Sequence, residues 1–457
     1  MVFYFVQRGE TLYQIAKRYQ TTVHAIVAAN RLEDPNAICP GQALIIPRPG
    51  EVPSPPPGGI VHLVRPGETV FHLAAKFGTP ALDILRANQI AHPEFIAAGQ
   101  QLVIPERTEA GDDWPMFGRT PGRSGAGPVA LEGAPAEGWS FAPRQGQGIR
   151  PSAPVVRYDR VYAGLGDGYF YSLCRKSGRV KWRLPAAEPD VLATLGEQPL
   201  AAPAIFDGLA YLCGPEGTVV AVDAHSGQHI WKTALGGRIV ASPAVSRGVV
   251  YLGTADGHVF ALEAKTGALA WKRSLGAPVT LPVAMGDDHL FACADDGKLY
   301  ALDAENGEVF WQVETPQAVA PVFAEVVVLA GGHAYDPRNG QLLWQVDAGG
   351  CQPLARVDQV IYPGGTVDVF TGTLQPSLVT GVPTLAPPLR AYVASGAMLI
   401  GVGEDERLHA WDAGTGRSVW LYALNGPSQQ PLAVAPGQIV VSLDSGGLQT
   451  LSFPHTA

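Results

Sequence analysis

The side chains able to do chemistry in this 457-residue chain are its carboxylates, imidazoles and thiols, and their spacing speaks against a catalytic centre. Asp223, Glu263, Asp303, Asp336 and Asp412 recur at one place in a repeating unit, each just before a turn. A carboxylate there accepts hydrogen bonds from nearby backbone amides. Acid–base catalysis or a metal cage needs different residues converging on one point, so one acid repeated unit after unit reads as architecture. The 11 histidines are scattered. His225, His229 and His258 fall on or beside turns and strand ends and read as solvated groups. The 5 cysteines, Cys39, Cys174, Cys213, Cys293 and Cys351, form no close pair and no C-x-x-C, which argues against a structural metal and a disulfide framework. Cys213 and Cys293 share a repeat position with Gly253, as small core residues do. There is no G-x-S-x-G, phosphate loop or H-E-x-x-H. The sequence therefore predicts no catalytic residue, no metal and no cofactor.

The chain that must position these residues is 46% hydrophobic and 16% charged, with 54 Gly and 40 Pro. That mixture suits several folding units made of short strands and tight turns. The net charge of -9 is uneven: roughly +2 over 1–48, zero over 60–107 and -9 over 112–457. No basic cluster carries interleaved aromatics, so nucleic acid is not an expected partner. No apolar run reaches the roughly 18 residues of a membrane span, so no membrane insertion is expected. Residues 1–6 read as a first strand, and no signal peptide is visible.

Sliding the chain along itself by 58 residues aligns 1–48 with 59–106 without a gap. Val6, Gly9, Glu10, Thr11, Ala29, Asn30, Gly41 and Gln42 recur as Val64, Gly67, Glu68, Thr69, Ala87, Asn88, Gly99 and Gln100, among others. Thr11, with Gln14 three residues on, starts a helix as a capping box. Thr79 caps a second helix with Pro80 at its first position, and Asn30 and Asn88 can end it. Ala43–Pro47 and Gln101–Pro105 read as short strands stopped by proline. This strand, helix, helix, strand order, with Gly9-Glu10-Thr11-Leu12 after the first strand and Pro40-Gly41-Gln42-Ala43-Leu44 before the last, resembles the LysM family. The resemblance implies an α+β module that binds N-acetylglucosamine polymers, peptidoglycan or, as the lesser alternative, chitin. Carried over by position, it implies a glycan groove from Gly9, Glu10, Thr11, Leu12, Ala37 and Ile38, and from Gly67, Glu68, Thr69, Val70, Phe95 and Ile96. Turn, cap and core roles account for several of the same residues. The Pro/Gly-rich stretch 49–59 reads as a semi-extended linker, and two weak sites on one polymer reinforce each other.

From 113 onward, units of about 40 residues follow one another. Trp182, Trp231, Trp271, Trp311, Trp344 and Trp420 mark corresponding positions and read as packing between units. Asp256-Gly257 and Asp296-Gly297 are hairpin turns, and Thr266-Gly267 and Asn306-Gly307 make the next turn. Four antiparallel strands per unit is the make-up of a propeller blade. The count predicts eight blades, with seven as the alternative because 318–347 and 350–385 are degenerate. Trp139-Ser140-Phe141 matches the strand missing from the last unit and can close the ring. The repeat and the entry motif Asp113-Trp114-Pro115-Met116-Phe117-Gly118-Arg119 are similar to the pyrroloquinoline-quinone-type propellers. That superfamily holds both quinoprotein dehydrogenases and cofactor-free scaffolds, and fold alone does not choose between them. The quinone enzymes carry an adjacent cysteine pair that this chain lacks.

The organisation expected is thus two LysM modules, 1–48 and 60–106, a linker at 107–112, and an all-β propeller over 113–457. The function expected is a noncatalytic scaffold of the cell envelope or spore surface. Its modules hold a glycan, and its propeller serves a protein partner that the sequence does not identify. A wall-tethered quinone- or metal-dependent oxidoreductase and a propeller that is itself a lectin are the alternatives.

Overall fold

The structure, a computed structural model, describes strand positions 2–5, 43–46, 59–63 and 101–105 with scattered positions between and after them, and most of 131–453 apart from short gaps and the stretch 374–388. Contacts divide the chain into two compact units, Met1–Gly111 and Asp112–Ala457.

In the first unit, β1 (Val2–Phe5) pairs antiparallel with β2 (Ala43–Ile46), and β3 (Gly59–Leu63) with β4 (Gln101–Pro105). The pair Val2↔Ile46 returns as Ile60↔Ile104, shifted by 58 on both strands. Ile15 and Leu73, also 58 apart, are helical and fully buried, and so is Ile84. Identical register and identical core positions follow from the gapless repeat.

The second unit is a ring of eight blades, as the repeat count predicted. Blades 1 to 4 are four-stranded antiparallel sheets whose strands lie side by side in chain order. Blade 3 shows the pattern: Ala244–Ser246, Val249–Gly253, His258–Glu263 and Leu269–Ser274. First strands of consecutive blades touch from blade 1 through blade 6, and blade 8 touches blade 1. They therefore surround the axis, and the fourth strands form the outer wall. The middle strands are apolar on both faces, because each blade is sandwiched between two others. Outer strands alternate, with one face docked and one wet. In each regular blade the outer strand bulges one residue before its tryptophan, as between Ala261 and Leu262 opposite Leu269 and Trp271. An extra residue there twists the strand and turns the indole toward the next blade.

Blade 5 is short: Gly331-Gly332 cuts its middle hairpin to Val327–Ala330 and His333–Tyr335. Blade 6 has three strands among the described residues, Leu354–Ala355, Gln359–Tyr362 and Gly365–Asp368. Blade 7 gains a fifth, the two-residue strand Ala126–Gly127 parallel to Ala394–Ser395 on the axial side. Blade 8 takes its outer strand from the other end of the unit. Ala136–Phe141 pairs antiparallel with Leu448–Ser452, so the segment around Trp139 closes the ring and removes an open sheet edge.

Candidate functional site

Two places carry the predicted site residues: the sugar modules and the seams between blades. Of the glycan-groove positions only Ile96, half-buried, is among the described residues. Gly9, Glu10, Thr11, Leu12, Ala37, Ile38, Gly67, Glu68, Thr69, Val70 and Phe95 lie outside them. The described frame of the second module is nonetheless informative. The Val64 amide donates to the Gln100 carbonyl at 2.8 Å, carrying the β3–β4 ladder one step further. Asn88 ties β4 to a helix. Its Nδ2 donates to the carbonyls of Ile84 (2.6 Å) and Val103 (2.7 Å), while its Oδ1 accepts from the Val103 amide at 2.7 Å. Sequence reasoning saw Asn88 as a helix terminator and missed the lateral bond to β4. Its recurrence as Asn30 was the available signal.

At the seams, a tryptophan on the outer strand of one blade donates its indole N–H to a backbone carbonyl of the next. Trp182 donates to Ala224 (3.0 Å), Trp231 to Ala264 (2.9 Å), Trp271 to Ala304 (2.9 Å), Trp311 to Pro337 (2.9 Å) and Trp344 to Val369 (2.9 Å). The closing strand does the same, with Trp139 donating to Arg175 at 2.6 Å. The indole lies on the glycine of the receiving turn. Gly307 has φ +73°, and a Cβ on it would come within 2.6 Å of Cε3 of Trp271, so the position needs glycine for both backbone and contact. Burying one indole removes on the order of 200 Å² from water, an upper bound of roughly 5 kcal/mol. Trp420 sits at the same place but finds no acceptor among the described residues, packing on Phe453 at 5.7 Å between ring centroids.

The repeated acids serve the same turns. Asp223 accepts from the amides of His225 (3.1 Å) and Ser226 (2.6 Å), Asp303 from those of Glu305 and Asn306, and Asp336 from that of Arg338. The Ser226 hydroxyl and amide hold the Asp223 carboxyl below its ordinary range. Glu263 reaches the Thr266 hydroxyl instead. Asp368, which the sequence reading passed over, accepts from the Thr371 amide at 2.8 Å. Cys213 and Cys293 are buried, and burial pushes both thiols up to about 12. Among the histidines, His225 meets the buried Arg160 of the preceding blade at 2.9 Å, and His258 faces Asp256 at 3.2 Å. Neither contact was foreseen: the first depends on a residue of the neighbouring blade, and the second was hidden by reading His258 as a solvated group beside its turn.

A quinone with calcium, which the fold class brings into question, needs a set of acidic and amide donors. Among the described residues no group of three or more His, Cys, Asp or Glu side chains is arranged to hold a metal ion. The sequence contains no adjacent cysteine pair to stack on a quinone. Among the described residues, the side chains present do not fit that group.

Comparison with known proteins agrees with this geometry. The family model described as outer membrane protein assembly factor BamB matches residues 215–360 and 330–455, together more than half of the chain. The LysM domain model matches 4–47 and 62–105. The N-acetylmuramoyl-L-alanine amidase XlyA of Bacillus subtilis (strain 168) is 39% identical over 77 residues, which are 15% of this chain and 26% of that protein. The chain spans less than two-thirds of the length of the curated relatives it matches. Two solved structures share the fold: BamB from Moraxella catarrhalis (17% identity, TM-score 0.52, covering 70% of this chain and 100% of that one) and the quinohemoprotein alcohol dehydrogenase from Comamonas testosteroni (14%, TM-score 0.57, 83% and 86%). With two LysM domains followed in sequence by a ring of eight blades, the chain belongs to the family of the outer membrane protein assembly factor BamB.

Proposed function

We propose that the protein is a noncatalytic, glycan-anchored scaffold of the cell envelope or spore surface. The LysM domains bind an N-acetylglucosamine polymer, peptidoglycan before chitin, and the propeller offers a platform to a protein partner. The observation that carries this is the pair of LysM matches at 4–47 and 62–105, in register with each other and covering most of the first unit. The amidase XlyA supports the choice of peptidoglycan by its named chemistry. Two sites on one chain suit a polymer, because the second contact becomes intramolecular. The scaffold role rests on the use made of the recurring side chains: tryptophans and glycines join the blades, and the acids brace the turns on which the tryptophans dock.

The test is sedimentation of the full chain with purified peptidoglycan, with and without competing N-acetylglucosamine oligomers. Retention that the oligomers reverse is expected. Retention indifferent to them sinks the LysM assignment. The fold shared with the Comamonas dehydrogenase favours a second reading, an oxidoreductase tethered to the wall. Incubation with quinone and calcium followed by alcohol-dependent dye reduction decides it, and the scaffold reading expects no turnover.

A further inference from the structure

The ring is electrically lopsided. Residues 150–275, blades 1 to 3, hold 14 Lys/Arg against 10 Asp/Glu, whereas 276–457 hold 6 against 18. The excess of cations gathers on the outer wall. Strands Val180–Pro185, His229–Ala234 and Leu269–Ser274 carry Lys181, Arg183, Lys232, Lys272 and Arg273 and no acid. Three of these share one register position, the residue after the docking tryptophan: Arg183, Lys232 and Lys272, opposite Tyr171, Val220 and Phe260. All three are exposed. The same position holds Gln312, Gln345, Leu421 and Ser140 in blades 4, 5, 7 and 8. Two of the cations are braced on aromatic faces, Arg183 over Tyr169 (4.9 Å) and Lys272 over Phe260 (5.0 Å). The ion pairs among the described residues involve other cations.

We propose that the outer wall of blades 1 to 3 binds an anionic glycan polymer bearing phosphodiester or carboxylate groups. One cation per blade, three blades running, builds no pocket for a single small anion. It does match a long chain that meets each charge in turn, so that weak contacts add through multivalency. The acidic remainder of the ring confines such a polymer to this arc, since like charge repels it elsewhere. The choice of a glycan rests on the LysM reading, because a wall polymer would then lie within reach of both units.

The experiment uses the full chain and the triple variant R183Q/K232Q/K272Q, with glutamine taken from the equivalent position of blades 4 and 5. Binding is followed by calorimetry to polygalacturonate, to poly(glycerol phosphate), to polyglutamate and to a neutral chitin oligomer. The parent chain should bind one or both anionic glycans in 50 mM salt and weaken roughly tenfold by 200 mM, as counterion release requires. The triple variant should lose at least about tenfold at 50 mM while keeping its unfolding midpoint and its affinity for the chitin oligomer. Which glycan binds identifies phosphate or carboxylate as the charge recognised. Equal binding by variant and parent, no binding of either glycan, or binding of polyglutamate alone overturns the proposal. A parent chain that binds the anionic glycans but not the chitin oligomer overturns the LysM reading and leaves this one standing.

Discussion

The seam between blades 3 and 4 and the seam between blades 6 and 7 solve one packing problem with different residues. In the first, Trp271 comes from the outer strand, donates to Ala304 and lies on Gly307. In the second no such tryptophan exists in the sequence from Thr373 to Pro388. Instead Trp411, from the third strand of blade 7, is buried with Leu354 and Ile361 of blade 6 and Ala394 and Leu399 of its own blade. Its counterparts in other blades are smaller, Val222, Leu262 and Leu302. The Tyr392 hydroxyl bonds to the Gln352 carbonyl across the same gap. What a seam requires is a large flat side chain, and the repeat motif is one way of delivering it. The seam between blades 7 and 8 is intermediate: Trp420 keeps the position and exchanges its hydrogen bond for a ring contact with Phe453.

The comparison can be broken most severely at Trp411. Trp411→Ala removes the largest ring in that cluster, and a loss of about 4 kcal/mol is expected from equilibrium urea unfolding. Amide exchange should speed up first in blades 6 and 7; exchange spread evenly around the ring would deny Trp411 its local role. Next comes Gly307→Val, which forces a β-branched residue into positive φ against the Trp271 indole. A loss of about 3 kcal/mol is expected. A smaller pair sharpens the difference between bonded and unbonded tryptophans. Trp271→Phe should lower stability by about 2 kcal/mol, whereas Trp420→Phe, which deletes a donor with no acceptor among the described residues, should lower it by less than about 1 kcal/mol. Equal effects would mean that the indole hydrogen bond adds nothing to the seam. Smallest is Asp223→Ala, about 0.5 kcal/mol at neutral pH for an exposed turn. The folded-state carboxyl is held low by Ser226. Its contribution is therefore complete above about pH 4 and fades as pH falls through the folded-state value, where variant and parent should converge.

The repeat made much of this legible. Tryptophans a blade apart, Asp-Gly turns and the stray Trp139-Ser140-Phe141 together specify eight blades and the closing strand, since each obeys the period. What escaped the sequence reading breaks the period. Trp411 lies on a different strand from the docking tryptophans, at a place where blades 2 to 4 carry aliphatic residues. The parallel pair Ala126–Gly127 with Ala394–Ser395 has two residues and no repeat partner. Arg160 on His225 depends on which blades become neighbours. In the sugar modules the 58-residue offset carries strand register and buried positions from one copy to the other, whereas the positions named for the glycan groove, Ile96 apart, lie outside the described residues.

The closing strand also sets a timetable. Trp139 and Thr450 bond to each other across 311 residues of sequence. At ribosomal speeds of 5–20 residues per second, roughly 15–60 s separate the synthesis of the two. Throughout that interval Ala136–Phe141 lacks its partner strand, and its two edges are open to any other strand in reach. Every molecule made must therefore keep this early strand unpaired until the last one emerges, and a chaperone or a nascent neighbour that reaches it earlier decides whether the ring closes on itself.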